Sequence, residues 1–390
     1  MYTEILHGIC TQENIEMMIG KGEMVSFKAK RPMVVGKRAM LKVNANIGVS
    51  DISMYKFEVH KLETISTLSY RPDSMMDNSI IDNIKSKFWT KMVSLFDGPV
   101  GTLPHYLPYS RRTGIDKGAF WDNFMEMCEG GVSFMTLHPT AAIDLLELAK
   151  RERHIPTTSR GGAILLSDTI LNNRDDNLIS DNFDDILTTM KKYGLTVSIG
   201  SVFRPASIVD ALDSVHMKET QLQKKYIDAA KKHGVPVIME GIGHIPLKSM
   251  NDYFSIIDKY ETPLMPLGPL PSDNVIGFDH VSSAIGATYA AIIGNVGIIN
   301  SITKEEHTGG VPNLDSIIEG IKTSRTVAHI INISRFPQFM VLEETTAKNR
   351  AEKRTCILSG GIFDYKTNHL LEISGCSRCS RECPLTMNEW

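Results

Sequence analysis

Short apolar and β-branched runs recur along the chain, each followed by a polar loop and then by a stretch with apolar positions at helical spacing. Eight runs read as strands, at residues 39–44, 73–76, 100–103, 132–137, 155–158, 195–199, 236–239 and 263–267. Between them, residues 140–153, 181–194 and 219–234 read as helices, and the last two end in Lys-rich turns and a glycine, the usual stop signal. Strand and helix alternating eight times predict an α/β fold, a (β/α)8 TIM-type barrel, with an open doubly wound sheet as the alternative.

Residues 1–38 read as a polar, irregular lead-in and 39–300 as the barrel. After the eighth run, VSSAIGATYAAIIGNVGIIN reads as a buried small-residue helix, and LDSIIEGIKTSRTVAHIINISR opens a helical C-terminal region over 301–373. The tail at 374–390 is too rich in Cys, Gly, Ser and Arg to belong to it.

A chain of 390 residues with 42% hydrophobic content buries a large core. A net charge of -3 gives no electrostatic footprint for nucleic acid or an anionic membrane surface, so neither is expected as a partner. The amino terminus lacks a basic segment followed by a long apolar core, and no apolar run approaches the ~20 residues that span a bilayer. A cytoplasmic location is expected. The 20 methionines read as adaptable core filler.

Six cysteines in a chain this long do not make a disulfide framework, and three of them fall in the last stretch. Cys376, Cys379 and Cys383 have the spacing C-x2-C-x3-C, followed at once by Pro384. Part of the bacterial ferredoxin run has this form, and three thiolates hold three irons of a [4Fe–4S] cluster while leaving the fourth open. An open iron can be chelated by S-adenosylmethionine. The competing reading is a zinc knuckle completed by a ligand from elsewhere. Cys10, Cys128 and Cys356 read as small buried hydrophobes.

In a barrel of this kind chemistry gathers at the carboxyl ends of the strands. There the sequence offers Asn44 and Asn46 after the first run, Met76 and Asp77 after the second, His105 and Tyr106 after the third, and His138 after the fourth. Ser159, Arg160, Gly161 and Gly162 follow the fifth, SVFRPAS with Arg204 follows the sixth, and MEGIGHIP with Glu240 and His244 follows the seventh. SRGG before an apolar helical stretch suits an anion at a helix amino terminus, although Gly-Gly is also an ordinary tight turn. His244 with His307, or with His280, suits an open site for one divalent metal, iron or zinc, although separated histidines are often unconnected and His280 also reads as a helix-capping or core histidine.

These pieces, KVNANIG, MMD, GTLPHY, LHP, SRGG, IGS-x2-RP, MEGIGHIP, LGPL, FDH-x3-AIGA, KEEH and the cysteine tail, run in order from about Met40 to Cys383. In that order they resemble the phosphomethylpyrimidine synthase (ThiC) family. The resemblance implies a barrel with a helical carboxyl-terminal region, a [4Fe–4S] cluster on a mobile tail, and a homodimer in which one subunit's tail covers the other's barrel. It implies that Asn46, Met76, Tyr106, His138, Ser159, Arg160, Gly161, Arg204 and Glu240 line the pocket of a small anionic substrate. His244 and His307 then match the family's two histidine metal ligands, which favours His307 over His280. An external one-electron donor and S-adenosylmethionine complete the set, and Glu240 and the three tail cysteines are the catalytic expectation.

The chain also departs from the family's pattern. Ser201 stands where an aspartate is expected, Met265 where a tyrosine is expected, Ile242 replaces the proline of E-G-P-G-H, and Val49 replaces an asparagine. The cysteine spacing is one residue shorter than C-x2-C-x4-C. The expectation is a divergent radical S-adenosylmethionine lyase or synthase that forms an aromatic heterocycle for a cofactor from a different substrate. Alternatives are an ordinary thiamine pyrimidine synthase, a benzimidazole-forming paralogue, a non-catalytic accessory subunit of an active paralogue, and a barrel lyase or hydrolase using the histidine metal alone.

Overall fold

A computed structural model describes residues 24–81, 87–356, 358–366, 376, 378–379 and 382–387. Eight parallel strands form one sheet in chain order: Lys42–Ile47, Ser74–Asp77, Val100–Thr102, Phe134–Leu137, Thr196–Ile199, Val237–His244, Leu264–Leu270 and Ile298–Asn300. The first and eighth pair, with Ile298 opposite Lys42 and Asn300 opposite Asn44. The ring closes between the seventh and eighth through a bridge of Leu264 and Val296, where Leu264 N donates to Asn295 O at 2.8 Å and Gly297 N to Leu264 O at 2.9 Å. Strands buried on both faces explain why the runs read as continuous apolar stretches rather than as an alternation.

The barrel is therefore the expected one, with two corrections among its strands. Residues 155–158 form no strand. They are the extended approach to helix Arg160–Leu171, and the connection between the fourth and fifth strands carries three further helices, Ile143–Glu152, Leu178–Asp181 and Phe183–Tyr193. Pro156 cannot donate to a ladder, and the β-branched pair Thr157–Thr158 imitates a strand without having one to pair with. The true eighth strand, Ile298–Asn300, is three residues long and follows helix Asp279–Ile293 so closely that the two read as one apolar stretch.

The lead-in is not wholly irregular either. Met24–Phe27 and Met33–Gly36 pair antiparallel, and Phe27 meets Phe134 edge-on with ring centroids 5.5 Å apart. Because Phe134 opens its strand, this hairpin closes the amino-terminal end of the barrel and leaves the opposite end for chemistry. Residues 1–23, with Cys10, lie outside the described residues.

Helix Leu314–Arg335 docks on the barrel by specific bonds. Asn332 Oδ1 accepts from Leu41 N at 2.8 Å, and Arg325 Nη1 donates to Asp73 Oδ2 at 2.7 Å. Helix Met340–Lys353 follows it. Among the described residues no helix is long and apolar enough to cross a membrane.

Candidate active site

A cavity of about 490 Å³ opens at the carboxyl ends of the strands. Its wall holds all nine residues that the resemblance assigns to a substrate pocket, three of them from one helix start and the other six from different strands or the loops after them. Asn46 comes from the first strand and Met76 from the second, while Tyr106 and His138 follow the third and fourth. Ser159 caps helix Arg160–Leu171, its Oγ accepting from Gly162 N at 3.1 Å. That cap engages Gly162 N and leaves Arg160 and Gly161 as the first helical residues on the cavity wall, a placement suited to an anion. Arg204 follows the fifth strand and Glu240 belongs to the sixth.

The walls are polar, and their amide and carboxyl groups bond largely to one another. Asn44 Nδ2 donates to Asn46 Oδ1 and to Asn300 Oδ1, both at 2.9 Å, while Asn44 Oδ1 accepts from Ser74 Oγ at 2.8 Å. Asn300 Nδ2 continues the chain to Pro266 O at 3.0 Å. Such a network fixes Asn46 without using apolar contacts. Glu240 Oε1 accepts from Thr136 Oγ1 at 2.8 Å and from Ser198 Oγ at 3.2 Å. Burial pushes its carboxyl above the ordinary 4.5, against the pull of those hydroxyls and of Arg204.

Burial also keeps the neighbouring histidines neutral, holding His105 down to about 3 and His138 well below its ordinary value. Neither His105 nitrogen has a hydrogen-bond partner of good geometry, and His138 Nδ1 lacks one too. Their rings stand 5.6 Å apart. Gly161 is required by this pair, because a Cβ there would lie 2.5 Å from His138 Cε1 and 3.1 Å from His105 Nε2. The Tyr106 phenol is pushed up to about 12, burial being the main cause.

Two histidines meet outside the cavity lining, His307 directly following the wall residue Glu306. The rings of His244 and His307 have centroids 5.0 Å apart. His244 Nδ1 pairs with Asp273 Oδ1 at 2.7 Å, and His307 Nδ1 with Asp279 Oδ1 at 2.8 Å. With each Nδ1 held by a carboxylate, each Nε2 keeps its lone pair for a cation, the usual support of a metal-binding imidazole. The donor set therefore fits one divalent metal with open positions. His280 faces elsewhere, stacking on Phe278 and standing 3.7 Å from Glu319. Gly243, at φ 93, lets the backbone approach Pro205, whose carbonyl accepts from His244 N at 3.0 Å. Its neighbour Ile242 has φ 64, which no proline can adopt, so this turn differs from an E-G-P-G-H turn.

Cys376 and Cys379 are exposed, Cys383 is half-buried, and all three are free thiols. Three such thiols fit a cluster with one open iron as a donor set. Among the described residues no three His, Cys, Asp or Glu side chains converge as a ready metal cage, so the structure does not gather these cysteines at one point. Cys128 is buried and Cys356 exposed, so only the first behaves as the expected small hydrophobe.

Sequence reasoning missed Asp273, Asp279, the buried pair Glu58–Lys61 on the cavity wall, and Glu219 behind it. Ser201 also proves to be turned away from the cavity, its Oγ donating to Glu219 Oε2 at 2.7 Å.

Residues 5–389 match the model described as the Radical SAM ThiC family. A phosphomethylpyrimidine synthase of Thermotoga sp. (strain RQ2) is 31% identical over 97% of this chain and 93% of its own. One from Thermotoga neapolitana is 31% identical over 83% of this chain and 78% of its own. Among solved structures, a Xanthomonas albilineans dihydropteroate synthase with 4-aminobenzoic acid matches at a TM-score of 0.42 and 10% identity, over 77% of this chain and 97% of that one.

Proposed function

The chain belongs to the Radical SAM ThiC family, and from that premise we propose that it rearranges a small phosphate-bearing heterocycle by a radical route, on a substrate less polar than that of its relatives. One observation carries the reading: the anion-facing helix start at Ser159–Gly161, Arg204, Glu240 and the thioether of Met265 all line one cavity. Cys376, Cys379 and Cys383 would hold a [4Fe–4S] cluster, which would supply one-electron reduction of S-adenosylmethionine given an external donor. His244 and His307 would hold the divalent metal.

The chain's own residues do the rest. The capped helix start and Arg204 bind the anionic end and orient the ring. Tyr106 and neutral His138 offer hydrogen bonds without charge. Glu240, with its carboxyl raised toward neutrality, takes or returns a proton as the skeleton rearranges. Deep walls exclude water from a reactive radical.

The partner we propose is a second copy of the chain. Ile285 and Ile292 on helix Asp279–Ile293 and Ile330 on helix Leu314–Arg335 expose apolar side chains around one shallow groove, the chemistry that a homodimer covers.

The test is anaerobic reconstitution followed by turnover of aminoimidazole ribotide with S-adenosylmethionine and reductant. Expected are about four irons per chain, cleavage of S-adenosylmethionine, and little pyrimidine. Zinc alone in the tail overturns the radical reading. Efficient pyrimidine formation overturns the different substrate and makes this an ordinary phosphomethylpyrimidine synthase.

A further inference from the structure

Among the polar side chains that helix Ser214–His233 turns into the protein are Glu219 and Gln223, each 1% exposed. A carboxylate in such a place is costly unless both oxygens are fully engaged. Here they are. Glu219 Oε1 accepts from Thr140 Oγ1 at 2.8 Å and from Val202 N at 2.5 Å, and Oε2 accepts from Ser201 Oγ at 2.7 Å and Phe203 N at 2.8 Å.

Thr140 follows the fourth strand, and the other three partners, Ser201, Val202 and Phe203, belong to the turn that carries Arg204. Its carbonyls go to separate side chains: Ser201 O accepts from Arg204 Nη1 at 2.8 Å, Val202 O from Thr157 Oγ1 at 2.6 Å, and Phe203 O from Arg153 Nη1 at 2.7 Å. Its two amides share one acceptor group, Glu219. The turn in turn presses on the helix that starts at Arg160, since a Cβ at Gly162 would lie 2.4 Å from Val202 Cγ1. One turn further along the helix, Gln223 Nε2 donates to Glu240 O at 2.7 Å and to Ile199 O and Gly200 O, each at 3.2 Å.

We propose that Glu219, seconded by Gln223, is the positioning residue of the anion site: it sets Arg204 against the helix start at Ser159–Gly161 and thereby fixes affinity for the phosphate end of the ligand. The proposal rests on the reading above that this end of the cavity holds an anion. Glu219 touches no ligand itself, because the turn lies between it and the cavity.

The test compares Glu219→Gln and Glu219→Asp with the unmodified full-length protein, using ribose 5-phosphate as the calorimetric probe well below the melting temperature. A glutamine has one acceptor oxygen for four donors, and an aspartate keeps the charge but falls one methylene short, so the second variant decides if the first fails to fold. Either is expected to bind the probe roughly tenfold or more weakly, the scale of one lost hydrogen bond to a charged group. In an Arg204→Lys background the further loss should vanish, because the two residues act as one unit. A merely structural role would lower the melting temperature and leave the folded protein's affinity within about twofold, and that result, or additive losses with Arg204→Lys, overturns the proposal. If the unmodified protein binds no probe, the anion reading fails instead. Crystal structures of the variants then decide this proposal alone, an unmoved Arg204 guanidinium refuting it and a displaced one supporting it.

Discussion

Asp279 offers the sharpest test of the histidine pair. Its Oδ1 accepts from His307 Nδ1 at 2.8 Å, while its Oδ2 is buried and has no partner among the described residues. Asparagine keeps the acceptor but loses the charge, which reduces a bond of about 1.5–3 kcal/mol to one of about 0.5–1.5 kcal/mol. Its new amide N–H groups would also enter the pocket where Oδ2 now finds no partner. A loss of about 1–1.5 kcal/mol predicts metal held roughly 5- to 12-fold more weakly. Alanine removes the acceptor altogether and frees the imidazole to carry its proton on Nε2, where it blocks a ligand, so roughly 10- to 100-fold is expected. The assay is competitive titration of zinc(II) or iron(II) into the tail-blocked protein, with circular dichroism confirming the fold. Affinities within about twofold of the unmodified protein for both variants would refute the assignment of this pair as a metal site supported by carboxylates.

Two further outcomes follow from the cavity walls. Gly161→Ala places a Cβ 2.5 Å from His138 Cε1, where about 3.5–4.0 Å is needed, so the ring must retreat by ~1 Å; urea melts should show a loss of about 1–3 kcal/mol and calorimetry weaker phosphate-monoester binding, and no change in either would show that His138 has room. Glu240→Gln should flatten the pH dependence of stability: because burial raises the Glu240 carboxyl above 4.5, the folded state binds the proton more tightly, and stability is full below 4.5 and falls as pH rises through the raised value. Unfolding free energies measured from about pH 4 to pH 8 check the sign, and an unchanged slope in the variant would place the carboxyl in an unperturbed setting.

The barrel was legible because strands buried on both faces are written as apolar runs, and because helices such as Phe183–Tyr193 and Ser214–His233 end in glycines with positive φ, at 69 and 71. The eighth strand was not, since three residues carry no period. Cavity residues were legible where polar groups immediately follow a strand, as at Asn46, His138 and Arg204. Supporting groups were hidden by ordinary disguises. Asp279 looks like a first-turn acid complementing a helix dipole, and Asp273 like a loop residue. Glu219 and Gln223 had a signal that was overlooked: with Val215, Ile227 and Ala230 they occupy the core-facing positions of their helix, where charged or amide side chains need a reason.

That placement changes how the departures from the family's pattern are weighed. An aspartate at position 201 looks from sequence like a lost contact with substrate, yet Ser201 Oγ faces Glu219, 2.7 Å away, and position 201 contributes nothing to the cavity wall. Restoring an aspartate in this backbone would oppose two buried carboxylates at hydrogen-bond distance, which only a shared proton could reconcile. Met265 is different. It lines the cavity and stands in register beside Glu240, the residue whose proton matters most to the proposed chemistry. A thioether there offers neither donor nor strong acceptor, so it withholds a hydrogen bond that a phenol would give to the ligand and leaves Glu240 in a drier setting. Selectivity for a less polar ring is therefore to be sought at the seventh strand, and the single variant Met265→Tyr is a cleaner probe of it than any change at position 201.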